Sequence, residues 1–207
     1  MSLLRCFSEP AGITSLLPGN DEDSFLRRAA AKGAWSRCGG AESGRGAHPV
    51  EMGSRKKKGE PNENPPIDLC KMAINLGCGF VARSFSGSKK QLAALLRAAL
   101  SYKGMAVIDV ISPCVTFANN DDFYKSYHYV KANDEELHAV DYIPHFTPLE
   151  EVEIPGGQYQ DVKLFDGSTL RLATIEDKHD HSDVVAALSV IHEAESSGKH
   201  VTGLLFY

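Results

Sequence analysis

The sequence predicts an α/β protein: a βαβ unit with parallel strands, followed by an α+β extension that contains a hairpin. Three observations carry this. Phe80-Val-Ala-Arg-Ser-Phe85 and Met105–Ile111 are short runs of strand length and apolar content. Between them Leu92, Leu95, Leu96, Ala99 and Leu100 recur at i, i+3, i+4, i+7 and i+8, the stripe of a core-facing helix. Beyond residue 120 the texture changes to aromatic and proline-rich segments around a turn at Asp166-Gly167.

Ile67–Leu76 reads as a short helix, opened by proline and closed by Gly77. After the Phe80–Phe85 strand, Ser88-Lys-Lys-Gln91 matches the capping box, in which the serine and glutamine each satisfy a first-turn N–H. Gly104 ends the leucine-striped helix. The Met105–Ile111 strand that follows is apolar on both faces except at Asp109. Strand, helix, strand in this order implies parallel pairing and cover on both sheet faces. Two strands and two helices over residues 66–115 make a half-sheet that needs a neighbour.

Phe123, Tyr124, Tyr127 and Tyr129 fall in an expected helix, and Pro144, Pro148 and Pro155 mark an extended passage. At the hairpin, a two-residue Asp-Gly loop would set Leu164 opposite Thr169 and Val162 opposite Arg171. A three-residue Asp-Gly-Ser loop pairs Leu164 with Leu170 and Val162 with Leu172, all on one face, and is the register expected. Ser182 caps a last helix with Val184, Val185, Leu188 and Ile191 inward. Gly198 stops it, and Val201–Tyr207 is a terminal strand.

Composition narrows the function classes. At 207 residues, 43% hydrophobic and 24% charged, the chain is of ordinary globular make-up. Residues 1–58 carry ten Lys+Arg against six Asp+Glu, whereas residues 59–207 carry twelve against twenty-one. The acidic part is no nucleic-acid binder. No apolar run approaches a membrane span, and the opening Met-Ser-Leu-Leu-Arg-Cys-Phe-Ser lacks a signal-peptide core. Five cysteines, none in a Cys-x-x-Cys pair, fit a reducing compartment, so a cytoplasmic protein without membrane or nucleic-acid partners is expected. Residues 1–49 show no sustained period, and Arg55-Lys-Lys-Lys58 with the prolines up to Pro66 reads as an exposed connector.

Few residues are candidates for chemistry. Cys114 follows the second strand at its carboxyl end, the edge where open α/β sheets bind ligands. On its own such a cysteine reads as a small core hydrophobe. Cys70 and Cys78 fit no metal spacing, and Cys6 and Cys38 lie in the head. Asp177-Lys-His-Asp-His-Ser-Asp183 offers His179 and His181, but as a turn before a capped helix it lacks a third ligand. Lys89 and Lys90 open a helix, where cations oppose the macrodipole by a few tenths of a kcal/mol and so hint at an anionic partner. There is no Gly-x-Gly-x-x-Gly, Walker A loop or Gly-x-Ser-x-Gly elbow.

Several separated motifs nevertheless occur in a familiar order. Pro65-Pro-Ile-Asp-Leu-Cys70, Phe80–Gly87, Lys90-Gln-Leu92 and Asp109-Val-Ile-Ser-Pro-Cys-Val-Thr-Phe117 resemble the C-terminal half of the β subunit of 2-oxoacid:ferredoxin oxidoreductases, the 2-oxoglutarate type above all. Lys125-Ser-Tyr127, Asp134-Glu-Glu-Leu-His138, Asp166-Gly-Ser-x-Leu-Arg-Leu172 and Thr202-Gly203 extend the resemblance. It implies a partial thiamine diphosphate-binding fold at 52–120 and a β-subunit extension at 121–207. It also implies an α (or fused γ–α) subunit as partner, and oxidative decarboxylation of a 2-oxoacid with CoA to acyl-CoA and CO₂ as ferredoxin is reduced. In the full subunit the cofactors are thiamine diphosphate with Mg²⁺ and a [4Fe–4S] cluster. The Ser-Pro-Cys motif makes Cys114 a cluster ligand, and Lys90 is assigned to the CoA or ferredoxin side.

The family's three other cluster cysteines, and the Gly-Asp-Gly and asparagine that hold the diphosphate's metal, have no counterpart in this sequence. The chain alone is therefore expected to be inactive. Residues 1–51 are expected to be a disordered or out-of-frame head. The competing readings are a subunit-docking module without enzymatic activity and a small metal-binding protein using Cys114 with the Asp/His loop.

Overall fold

The computed structural model describes residues 2–7, 36–37, 67–112, 126–149, 154, 158–174 and 179–207. Cys114, the helix expected at Phe123 and Tyr124, and Asp177 lie outside them. In chain order the elements are β1 (Ser2–Phe7), β2 (Ser36–Arg37), α1 (Leu69–Asn75), β3 (Phe80–Phe85), α2 (Lys89–Ser101) and β4 (Ala106–Ile111). There follow α3 (Tyr127–Asn133), β5 (Asp134–Glu136), β6 (His138–Ile143), β7 (Gln158–Lys163), β8 (Thr169–Thr174), α4 (Val184–Ser196) and β9 (His200–Phe206).

The expected βαβ unit is present. β3 and β4 run parallel from Phe80↔Ala106 to Phe85↔Ile111. The half-sheet finds its neighbours at the two ends of the chain, giving the order β2-β1-β4-β3-β9-β5. β9 pairs antiparallel with β3, and β1 pairs antiparallel with β4 from Ser2↔Ile111 to Phe7↔Ala106. A strand at residues 2–7 thus forms where the sequence has no sustained period: edge pairing of the backbone needs no side-chain alternation.

Both faces of this sheet are covered, as parallel strands require. Phe80, Ala82, Ala106, Ile108 and Val110 pack on α2, while Val81 and Val107 meet α1 and α4. A second sheet, β6-β8-β7, covers the far side of α2 through Tyr142, Val162, Leu164, Leu170 and Leu172. Buried between two sheets, α2 is apolar nearly all round, with Ala93, Ala94, Ala98 and Ala99 allowing close approach on both sides.

Four local expectations need correction. The capping box at Ser88 does not form: the Ser88 side chain makes no cap bond, and Gln91 turns inward instead. The cap of α4 is Asp183, accepting from Val185 N at 2.7 Å, while Ser182 bonds Asp180. The inward stripe of α4 is Ala187, Ile191 and Ala194, and Val184 and Val185 are exposed. Two small alanines in that stripe let the helix lie close on the sheet, which valines at those places would prevent.

The hairpin register also differs. Val162 pairs with Leu170 and Lys163 with Thr169, so the three-residue loop is Phe165–Gly167. The expected register and the observed one differ by two residues and bury the same four apolar side chains, so burial alone does not choose between them. Turn chemistry does. Gly167 takes φ +84°, and Asp166 accepts from the Ser168 backbone N–H (3.0 Å) and hydroxyl.

Candidate functional site

β3 and β4 end together, and their carboxyl edge gathers the chemistry. Ser86 N donates to Ile111 O at 2.9 Å, so the chain leaving β4 towards Cys114 departs beside the Ser86-Gly-Ser88 turn. That turn opens α2, whose first turn carries Lys89 and Lys90, both exposed, and no acidic residue. Gly87 sits directly under the Phe85 ring, where a Cβ would meet a ring carbon at 2.4 Å. Only glycine permits this close approach.

Against the edge lies a cleft of about 200 Å³ lined by Phe85, Gly87, Ser88, Tyr127, Lys131 and Asp134. The Phe85 and Tyr127 rings, 5.3 Å apart, form its apolar wall. Burial, aided by the Glu136 charge, pushes the Asp134 carboxyl up to about 6, although Thr202 donates to it at 2.8 Å. The Ser88 hydroxyl reaches Glu136 at 3.3 Å.

Beneath the edge, on the α1 side of the sheet, Arg83 stands between two carboxylates. Its Nε donates to Asp109 Oδ2 at 3.1 Å and its Nη2 to Asp68, which also caps α1 by accepting from Lys71 N at 2.8 Å. Arg83 and Asp109 are buried and Asp68 is partly so, and Asp109 Oδ1 has no partner. Although burial opposes its ionisation, the Arg83 guanidinium holds the Asp68 carboxyl below its usual range. Desolvation pushes the fully buried Cys70 thiol well up, so it is inert. Asp109 was visible as the polar exception in an apolar strand; its partner Arg83 shows only once the parallel register sets the two side by side.

The remaining histidine and cysteine candidates close the fold. Cys78 donates to Met105 O and Phe80 O. His179 Nε2 lies 2.8 Å from Leu205 O, and His181, buried, accepts from Tyr207 N through its carbonyl at 2.7 Å. A third histidine, His138, accepts from Leu204 N at 3.0 Å. Among the described residues, no group of three or more His, Cys, Asp or Glu side chains converges as a metal ion would need.

Residues 42–110 match the family model of the thiamine pyrophosphate enzyme C-terminal TPP-binding domain, so the match begins ten residues before Met52. That is the class of domain to which the α/β unit is similar. More narrowly, the chain is similar to a 2-oxoacid:ferredoxin oxidoreductase subunit beta of Saccharolobus solfataricus, 32% identical over 53% of this chain and 34% of that one. It is likewise similar to the 2-oxoglutarate synthase subunit KorB of Methanocaldococcus jannaschii, 34% identical over 42% of this chain and 38% of that one. The resemblance to these oxidoreductase β subunits is thereby shown. A solved 2-oxoglutarate:ferredoxin oxidoreductase from Magnetococcus marinus, with 2-oxoglutarate, coenzyme A and succinyl-CoA bound, aligns over 70% of this chain and 35% of that one, with 22% identity and a TM-score of 0.45.

The chain spans about a third of the length of the first of these curated relatives. The sequence carries only some of the residues that the resemblance assigns to these cofactors. A [4Fe–4S] cluster takes four protein ligands, and the resemblance supplies Cys114 alone. The Gly-Asp-Gly that would carry the diphosphate's metal is absent from the sequence. Among the described residues no helix is long and apolar enough to cross a membrane.

Proposed function

We propose that this chain is the C-terminal portion of the β subunit of a 2-oxoacid:ferredoxin oxidoreductase of the 2-oxoglutarate type. Residues 52–120 belong to the thiamine diphosphate-binding domain and 121–207 to the subunit's extension. The complete assembly, in the cytoplasm with an α (or fused γ–α) subunit, oxidatively decarboxylates the 2-oxoacid with CoA and passes the electrons to ferredoxin. Thiamine diphosphate with Mg²⁺ and a [4Fe–4S] cluster supply that chemistry when bound. In this reading Cys114 gives one cluster thiolate and Lys90 faces CoA or ferredoxin.

The observation that supports it best is positional. β4 ends with Ile111 at the carboxyl edge, hydrogen-bonded to Ser86 of the turn that leads into α2 and Lys90. Ligands of open α/β sheets bind at such an edge. The test is to co-express the chain with an α subunit and with a β-subunit segment covering the part of the relatives it does not span. Reduction of ferredoxin dependent on 2-oxoglutarate and CoA is expected, and Cys114→Ser should lose the cluster's electron paramagnetic signal. A Cys114→Ser assembly that keeps full iron and turnover would contradict the reading.

A further inference from the structure

The capping box that fails to form has a different use. Gln91, third residue of α2, points into the core and joins four elements in one directional chain of hydrogen bonds. Ser84 Oγ on β3 donates to Gln91 Oε1 at 2.7 Å, and Gln91 Nε2 donates to Thr202 Oγ1 on β9 at 3.2 Å. Thr202 Oγ1 then donates to Asp134 Oδ1 at the head of β5, at 2.8 Å. Ser84, Gln91 and Thr202 are at most 4% exposed. The last acceptor lines the cleft. The chain runs towards Asp134, and an ionised carboxylate is the strongest acceptor on which it can end.

We propose that the ionisation state of Asp134, in the carboxyl-edge cleft, is transmitted through Thr202 to Gln91 and Ser84, and so to the first turn of α2. A proton taken from solvent removes the charge on which the chain is oriented. Thr202 then loses its strong acceptor, and the Gln91 amide, which can exchange its oxygen and nitrogen by a half-turn, is released or reversed. The groups facing Asp134 set when this happens. Glu136 on the same strand disfavours its charge, Lys131 of α3 lines the same cleft, and His200 of β9 stands opposite in register. From the turn before α2 the cleft receives Gly87 and Ser88, neither of them charged. With burial added, Asp134 titrates near 6, where the cleft responds to small changes of pH or to a bound charge. Since Gln91 directly follows Lys90, the anchor of that first turn is what the proton reaches.

Nuclear magnetic resonance of the labelled full chain tests this. The Asp134 carboxyl carbon and the Gln91 side-chain amide should titrate with one common midpoint. In Thr202→Val the Asp134 midpoint should rise and the Gln91 response disappear; in Thr202→Ser, which keeps the hydroxyl, both should stay linked. Asp134→Asn, permanently neutral, should leave Gln91 flat across the same pH range. A Gln91 amide that ignores the Asp134 titration in the native chain, or still titrates in Asp134→Asn or Thr202→Val, would overturn the proposal.

Discussion

The two ends of the described sheet use buried polar side chains in opposite ways. At the far end of β9, where pairing with β5 stops at Thr202, histidines take over the ladder. His138 Nε2 accepts from Leu204 N, His179 bonds Leu205 O, and the His181 carbonyl accepts from Tyr207 N. The His138 and His179 imidazoles are thus spent on β9 backbone, whereas His181 gives only its carbonyl and its buried Nδ1 has no partner. Even Gly203 is needed there: its φ is +125°, and a Cβ would lie 2.9 Å from His138 Nε2. At the carboxyl edge of β3 and β4 the polar groups lead outward, from Ser84 through Gln91 and Thr202 to a carboxylate on a cleft wall. The difference teaches where to look for function. Histidines of a metal-like motif can serve the backbone, and the glutamine of a capping motif can lead to a cleft.

The largest effect should come from the histidine end in acid. Burial, with His179 and His181 adding to it, holds the His138 imidazole down to about 3. Protonating it requires giving up the Leu204 N bond. Because the folded value lies below the ordinary 6.5, its contribution is complete above pH 6.5 and is lost as pH falls from there towards 3. The loss is about 3 kcal/mol by roughly pH 4.5, at ~1.4 kcal/mol per pH unit. Asp134, raised above its ordinary value, works in the opposite sense over its own range, so the comparison should be with His138→Gln, which keeps an acceptor but no titration. Urea unfolding of both proteins at neutral and acid pH measures the difference.

Removing Arg83 comes next. Arg83→Met leaves the buried Asp109 and the partly buried Asp68 without their shared cation, and about 2–3 kcal/mol of stability should be lost, less than for a fully buried pair. Replacing all three by apolar residues should restore much of it, which would show that the network costs as much as it gives. Urea midpoints of the single and triple variants decide this. The smallest effect on folding belongs to Lys90. Lys90→Ala on an exposed first turn should change stability by less than ~0.5 kcal/mol, yet raise the KM for CoA or for ferredoxin in the complemented assembly. A KM unchanged for both would remove Lys90 from the site.

Much of this architecture was legible. The bounds of β3 and its parallel pairing with β4 follow from short apolar runs that are buried on both faces, and α2 follows from its leucine stripe. What stayed hidden depends on partners distant in sequence. Gln91 turns inward because Ser84 and Thr202 wait in the core, and no local motif contains Thr202. The hairpin register escaped because two alternatives bury the same leucines and valines. Asp183 rather than Ser182 caps α4, since both side chains can cap and a one-residue shift is invisible to composition. The strand at Ser2–Phe7 answers a vacancy at β4, which only the assembled sheet reveals.

In the proposed function, Cys114 gives one thiolate of a cluster whose other ligands come from the part of the relatives that this chain does not span. Iron analysis and electron paramagnetic resonance of the anaerobically reconstituted chain, alone and with that segment supplied, test it most directly. The account predicts no [4Fe–4S] signal from the chain alone and a signal dependent on Cys114 once the segment is present. A stoichiometric cluster assembled by the isolated chain would contradict it.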